Sequence, residues 1–229
     1  MKLSIIIPTY NEAENIERLV KYLHLHGNNE LAEIIISDGG GSDDTIELAQ
    51  KAGAIAMVSP QKGRAAQMNY GAGLATGDVL YFIHADTFPP TSFVKDIEDA
   101  TLAGYGFGRY YSKYDTKKWL LKINEWFTRS DWFIGYGGDQ TLFISKPLFG
   151  TINGFDTALK IMEDYDITIR AKKLARYKVM PKAALISARK YDKNSWWKVL
   201  MANRKIVKMY KQGATQDAMV KRYKELLNY

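Results

Sequence analysis

Polar side chains follow three apolar runs of the sequence, at the point where each run ends. The run Leu3–Ile7 leads directly into Pro8–Glu12, and a second run leads into Ser37–Asp44. A later run leads into His84–Thr87. In open parallel sheets, ligands bind in the crevice beyond the carboxyl ends of the strands. If the three runs are neighbouring strands, their polar ends therefore form one binding crevice.

The second and third clusters hold side chains with distinct chemistry. Asp38 can accept an N–H from the edge of a base, and Gly39 lets the backbone approach a ring or phosphate closely. Ordinary turn and helix-cap chemistry is the alternative for the glycines and for Ser42–Asp44. Asp86 suits a hard divalent cation that also takes oxygens from a diphosphate. His84 is a metal ligand, a donor to phosphate or simply a satisfied histidine at the strand end.

A basic pair, Lys62 and Arg64, precedes a helix that is predicted to begin near Ala65. The N-terminus of the helix and the two cations would together attract an anion. A solvated basic loop is the alternative for this stretch.

The elements that must position these residues are predicted from the apolar periodicity. Strands are expected at Leu3–Ile7, Glu33–Ser37, Ala54–Val58, Val79–Ile83, Thr141–Ser145 and Tyr177–Met180. Helices are expected at Glu12–Leu23, from an Asp44–Glu47 capping box to Ala52, at 91–103, at Asp164–Ala175 and in a basic tail from Ser195. The stretch Trp119–Phe133 has an amphipathic pattern, and residues 135–138 are predicted to form a turn. This alternation predicts βαβ units and a parallel sheet.

Composition narrows the class of protein. With 229 residues, 46% hydrophobic and 25% charged, the chain can bury one core, so one domain with a tail is expected. There is no cysteine for a disulfide or thiolate site. The apolar start is too short for a secretory signal, and no run approaches the ~20 residues of a membrane span, which predicts a cytoplasmic protein. The net charge of +7 suits nucleic acid, an anionic membrane or a phosphorylated ligand.

Taken in order, the motifs resemble one enzyme family. Ser4–Glu12, Ile36–Thr45, Lys62–Arg64 with Asn69 and Gly71, and Gly77–Asp86 are similar to family 2 glycosyltransferases with the GT-A fold. The His-Ala-Asp-Thr variant and the Gly63–Asn69 run most resemble a bacterial selenodomain-associated subgroup. The resemblance implies a Rossmann-like α/β domain with a mostly parallel central sheet and flanking helices. This domain would occupy residues 1–192, with a nucleotide-binding half at 1–90 and an acceptor-side half at 91–192, before a basic helical tail at 193–229.

The resemblance also assigns ligands. The site for a nucleotide diphosphate sugar, with a UDP-sugar expected, is implied at Pro8, Thr9, Tyr10, Glu12, Asp38, Gly39, Lys62, Arg64, Asn69 and Asp86. Asp38 would contact the pyrimidine edge, and Asp86 would hold a divalent cation, Mn²⁺ or Mg²⁺. The family usually has Asp-x-Asp where this chain has His84-Ala85-Asp86. One metal ligand of the family pattern is therefore changed to His84, for which the three alternatives given above stay open.

Two later motifs resemble the acceptor side of the family. Gly138, Asp139 and Gln140 are similar to its acceptor-side loop, and Glu163 and Asp164 to its catalytic pair. Inverting transfer requires a base that removes the proton of the acceptor hydroxyl, so Asp164 is predicted as that base. Acidic residues that complement a helix dipole are the alternative for the pair. The Gln-x-x-Arg-Trp signature of processive members is absent, which favours single addition. Arg189 either reaches the diphosphate or acceptor or lies in a solvated basic turn.

The tail separates an apolar from a basic helical face, with Trp197 and Met201 among the basic residues. A helix over 195–211 that packs on the domain with a solvated basic face is the preferred interpretation, and docking on an anionic inner membrane surface or formation of a homodimer are the alternatives.

Transfer of a hexose to a hydroxyl acceptor is the predicted function. A non-catalytic nucleotide-sugar binding protein is the rival that the changed metal motif suggests, and Asp86 and Asp164 weigh against it. A membrane-surface or nucleic-acid binding module rests on charge and the tail alone, and no nucleic-acid partner is expected.

Overall fold

Eight strands form one sheet in the computed structural model, which describes residues 1–133, 136–137 and 140–228. The strands are β1 Leu3–Thr9, β2 Leu31–Asp38, β3 Ile55–Val58, β4 Val79–Phe82, β5 Thr87–Phe88, β6 Phe107–Asp115, β7 Leu142–Ser145 and β8 Tyr177–Ser187. Their order across the sheet is β3-β2-β1-β4-β7-β6-β8-β5.

Most of the sheet is parallel. β3, β2, β1 and β4 are parallel neighbours, and β6 is parallel to β8. β7 runs antiparallel to β4 and to β6, and β5 runs antiparallel to β8. The predicted, mostly parallel sheet is confirmed, with β7 and β5 as the reversed strands. The carboxyl ends of β1, β2, β4, β6 and β8 therefore lie at one edge.

Ten α-helices flank the sheet in the described part of the chain. They are α1 Ala13–Gly27, α2 Thr45–Lys51, α3 Arg64–Leu74, α4 Phe93–Leu102, α5 Leu121–Thr128, α6 Lys146–Thr151, α7 Glu163–Lys172, α8 Lys190–Lys193, α9 Trp196–Lys211 and α10 Gln216–Leu226.

The apolar runs of the central strands are buried on both faces. Ile5 and Ile7 pack with α1, α2 and α4, whereas Ile6 packs in a second core with α3 and α7. Successive side chains of a strand point to opposite faces, so a strand covered on both sides needs an unbroken apolar run. This requirement explains why β1 and β2 could be predicted from the sequence.

α3 lies unusually close to β1. A Cβ atom added at Gly71 would come within 2.6 Å of the Cγ2 atom of Ile6. The glycine thus permits the close approach of helix and strand, which sets the N-terminus of α3, at Arg64, beside the strand ends.

Two predicted local features are wrong. The Asp44–Glu47 capping box does not form, because Asp44 is the N-cap residue of α2 without a side-chain hydrogen bond. β8 continues to Ser187 instead of stopping at Met180. The pairing with β6 jumps from Met180 to Ala183, so the proline at 181 lies in a bulge and leaves the strand intact.

The tail is two helices rather than one. α9 ends before Gly213, whose φ of +72° suits glycine, and α10 begins after Thr215, whose side chain accepts from the N–H of Ala218. Ile206 of α9 and Met219 of α10 are buried in a cluster with Met162 and Tyr165 beside α7. The packed-helix interpretation of the tail is confirmed.

Membrane contact and homodimer formation through the 195–211 helix stay predictions. Trp197 and Met201 are the large apolar side chains of this helix that remain exposed. None of the helices in the described ranges is long and apolar enough to cross a lipid bilayer.

Candidate active site

The floor of the strand-end crevice is formed by Thr9 and Asp38, which are register partners at the ends of β1 and β2. The Thr9 hydroxyl donates to Asp38 Oδ2 at 2.7 Å. The backbone N–H groups of Gly40 and Gly41 donate to Asp38 Oδ1, each at 2.8 Å. Both side chains are buried. The Asp38 carboxylate is therefore held in one orientation, and the glycine loop wraps around it.

Gln67 of α3 connects the ends of β1 and β2 by hydrogen bonds. Its Nε2 group donates to the carbonyl oxygens of Thr9 and Ser37, each at 2.8 Å. A Cβ atom at Gly39 would lie 3.2 Å from Gln67 Oε1, so Gly39 provides room for this side chain. The role of Gln67 was not predicted, although its place in the Gly63–Asn69 run, which carries part of the family resemblance, is a sequence signal that could have pointed to it.

The acidic cluster after the glycines has a structural role. Asp43 accepts from the N–H of Ala13 at 3.0 Å and from the N–H and hydroxyl of Thr45. The hydrogen bond from the Thr45 hydroxyl, with the backbone N–H groups, holds the pKa of Asp43 below its usual range. The N–H of Glu12 donates to Thr45 Oγ1 at 2.9 Å. These contacts join the start of α1 to the start of α2, as the turn-and-cap alternative expected.

Three strand ends are bridged by Arg189, two residues beyond β8. Its two terminal nitrogens donate to the two carboxylate oxygens of Glu12, NH1 at 3.0 Å and NH2 at 2.5 Å. Its Nε lies 3.1 Å from Asp86 Oδ2. Arg189 therefore lies beside Glu12 and Asp86 at the strand ends, and its contact with a diphosphate or acceptor stays a prediction.

A second ionic contact joins the N-termini of α3 and α7. Arg64 donates through Nε to Glu163 and lies 3.3 Å from Asp164 Oδ2 through NH2. Arg64, which is also predicted in the nucleotide-sugar site, thus contacts the predicted catalytic pair, and its contact with a donor stays a prediction. Glu163 is 1% exposed and Asp164 16% exposed, so Asp164 is the carboxylate with access to a ligand. The Oε2 atom of Glu163 is buried and accepts no hydrogen bond.

The backbone just before this pair is strained. Met162, the N-cap residue of α7, has a φ of +74°, which is uncommon for any residue except glycine. Tyr165, one residue beyond Asp164, is buried, and this burial with the neighbouring Asp164 charge raises its pKa to about 12. The Tyr165 phenol therefore stays protonated at neutral pH.

A small cavity beside Asp164 is organised by Arg109, which is buried on β6. Arg109 donates to the Tyr177 hydroxyl at 2.7 Å, to Gln140 Oε1 at 3.0 Å and to the carbonyl of Thr128 at 2.7 Å. Gln140, a predicted acceptor residue, thus lines this cavity. Gly138 and Asp139 lie outside the described residues. Arg109 and Tyr177 were not predicted, because nothing in the local sequence distinguishes them from solvated residues of a strand.

The remaining predicted residues occupy different positions. Tyr10 and Lys62 are exposed at the crevice loops, and Pro8 lies within β1. Asn69 donates to the carbonyl of Phe155 at 2.7 Å and accepts from its N–H at 2.9 Å. Both polar groups of the Asn69 amide are engaged there, so the structure places Asn69 in a contact between α3 and the loop before α7, and not among the crevice residues.

The fold is the GT-A fold of glycosyltransferases. The chain matches Staphylococcus aureus TarS 1–349 in complex with UDP-GlcNAc over 82% of its own length and 59% of that chain, with a TM-score of 0.68 and 18% identity. It matches the mannosyltransferase PcManGT from Pyrobaculum calidifontis, in complex with GDP-Man and Mn²⁺, over 98% of its length and 69% of that chain, with a TM-score of 0.69 and 16% identity. At these identities the likeness is one of fold.

The chain belongs to glycosyl transferase family 2, whose sequence profile matches residues 4–158. An uncharacterised glycosyltransferase of Mycobacterium tuberculosis is 25% identical over 181 residues, which cover 74% of this chain and 68% of the relative. The predicted family is confirmed, and the protein is an enzyme of the glycosyltransferase class. The matched range contains all three strand-end clusters, whereas Glu163 and Asp164 lie just beyond it.

Proposed function

We propose that this enzyme moves a sugar from a nucleotide diphosphate sugar, with a UDP-sugar as the expected donor, to a hydroxyl acceptor in a single inverting step. The bound donors of the two structural neighbours, UDP-GlcNAc and GDP-Man, support this class of donor. The observation that carries the proposal is the Arg64 contact, because it joins the Glu163–Asp164 pair to the N-terminus of α3, the helix whose Gln67 contacts the ends of β1 and β2.

Asp164 is the proposed general base. It is the more accessible member of the pair, it lies at the N-terminus of α7 and it lines the cavity with Gln140. Arg64 orients its carboxylate, and Glu163 anchors Arg64 from the buried side. Removal of the acceptor proton by such a base contributes about 10²–10⁴-fold to the rate.

A divalent cation, Mn²⁺ or Mg²⁺, is proposed at Asp86, with His84 as its second protein ligand. No group of three or more His, Cys, Asp or Glu side chains in the described ranges could hold a metal by itself. One partly exposed carboxylate fits a cation that takes its other oxygens from a diphosphate and water. When bound, the cation supplies Lewis-acid stabilisation of the departing diphosphate.

The first test measures thermal stability against nucleotide diphosphates and their sugars, with and without Mn²⁺ or Mg²⁺. A ligand of the folded state raises the midpoint by mass action, so the donor is identified by the midpoint that it raises. With that donor, we expect Asp164→Asn to lower sugar transfer by about 10²-fold or more while nucleotide affinity is unchanged. Asp166→Asn, which removes a charge paired with Arg170 from the same helix turn, is the control. Equal loss in both variants would remove Asp164 from the base role.

A further inference from the structure

Arg189 neutralises two crevice carboxylates that come from different strands. Glu12 follows β1 and Asp86 follows β4, which are adjacent parallel strands, and Arg189 arrives from the end of β8. The guanidinium contacts Glu12 at two points and Asp86 through Nε. Without a cation between them, two carboxylates at neighbouring strand ends would repel each other.

The exposure of the three side chains indicates which partner can leave. Glu12 and Asp86 are 14% and 15% exposed, whereas Arg189 is 54% exposed. Arg189 is therefore the most solvent-accessible of the three side chains, and both of its partners are held closer to the protein interior.

The same Asp86 carboxylate is the proposed ligand of a divalent cation, and a cation at Asp86 is repelled by a guanidinium 3.1 Å from that carboxylate. A nucleotide diphosphate changes this balance, because it brings negative charge to which both the metal ion and the guanidinium are attracted. Arginine is well suited to such an exchange, since its planar fork matches carboxylate and phosphate groups equally.

We propose that Arg189 is an exchangeable counter-ion that makes divalent-cation binding at Asp86 depend on the donor. In the donor-free enzyme it occupies Glu12 and Asp86, and it transfers to the diphosphate when nucleotide and metal bind together. This inference rests on the proposed function, since it requires a nucleotide diphosphate as ligand.

The test is calorimetric titration of Mn²⁺ into the wild-type protein and Arg189→Gln, each with and without UDP, with GDP in parallel. For the wild-type protein we expect UDP to tighten Mn²⁺ binding by about 5- to 150-fold, the usual size of coupling between two sites. In Arg189→Gln, Mn²⁺ alone is expected to bind about tenfold more tightly, so the coupling shrinks, and UDP alone binds more weakly.

Two further variants test whether the effect is specific to the charge and shape of Arg189. Arg222→Gln makes the same chemical change on α10, where Arg222 contacts Glu225, and is expected to bind Mn²⁺ as the wild-type protein does. Arg189→Lys keeps the charge without the planar fork, so its affinity for Mn²⁺ alone should lie between those of the wild-type protein and Arg189→Gln.

The outcomes separate the inference from the proposed function. If UDP or GDP binds the wild-type protein, but Mn²⁺ affinities are equal in wild type and Arg189→Gln, the counter-ion role is overturned and the proposed function stands. If neither nucleotide binds the wild-type protein, the proposed donor class is wrong, and the counter-ion role of Arg189 is overturned as well because it requires that donor.

Discussion

Replacement of Arg64 by leucine removes the cation that neutralises a buried carboxylate. Glu163 is 1% exposed, and its Oε2 atom already accepts no hydrogen bond. Breaking a buried ion pair from one side costs roughly 3–5 kcal/mol. Arg64 is 35% exposed, so solvent screening lowers this value, and we expect a loss of about 2 kcal/mol of unfolding free energy. In a chain of this size, that loss corresponds to a fall in Tm of about 4–8 °C.

A double-mutant cycle with Glu163→Gln identifies the cause of this loss. The glutamine carries no charge, so Arg64→Leu should cost much less in the Glu163→Gln background, with a coupling of about 1–2 kcal/mol measured by chemical denaturation. Lys95→Gln removes one partner of an exposed helix pair with Asp99, and no measurable change in Tm is expected from it. Additive effects of the two substitutions, or an Arg64→Leu midpoint within about 1 °C of wild type, would refute the reasoning.

Two further predictions concern stability. Gly71→Ala should destabilise the protein by about 1–2 kcal/mol, because the added Cβ meets Ile6 Cγ2 at 2.6 Å and overpacking exceeds the gain in helix propensity. Gly73→Ala, on the same helix with open space around its Cβ, should instead stabilise by about 0.5–1 kcal/mol in the same denaturation assay, and a loss of equal size in both variants would contradict the packing argument. Asp43 has a lowered pKa, so its contribution to stability is present above its unfolded pKa and is lost as pH falls through the folded value. The Tm difference between wild type and Asp43→Asn should therefore shrink below about pH 4, and a difference independent of pH would exclude this role.

Local sequence pattern was sufficient for the nucleotide-binding half of the sheet. β1, β2, β3 and β4 all lie at predicted positions, because strands that are covered on both faces need unbroken apolar runs and polar residues must follow where the strands leave the core. The shared edge of the polar clusters followed from the same pattern, since parallel strands place their carboxyl ends together. The order of the motifs also determined the enzyme family.

Local pattern failed at two points. Asp44 at the start of α2 makes no side-chain cap, so the predicted box did not form. β8 passes its proline because a bulge against β6 removes those positions from the ladder. The bulge depends on β6, a neighbouring strand that is remote in sequence.

The composition of the site was decided by tertiary structure. Arg64 meets Glu163 across 99 positions of sequence, and Arg189 meets Glu12 across 177. The chain has 32 lysine and arginine residues, and periodicity cannot tell which of them faces a given carboxylate. That choice depends on the order in which β7, β6 and β8 follow β4 across the sheet, because this order brings the ends of late elements to the crevice of the early ones.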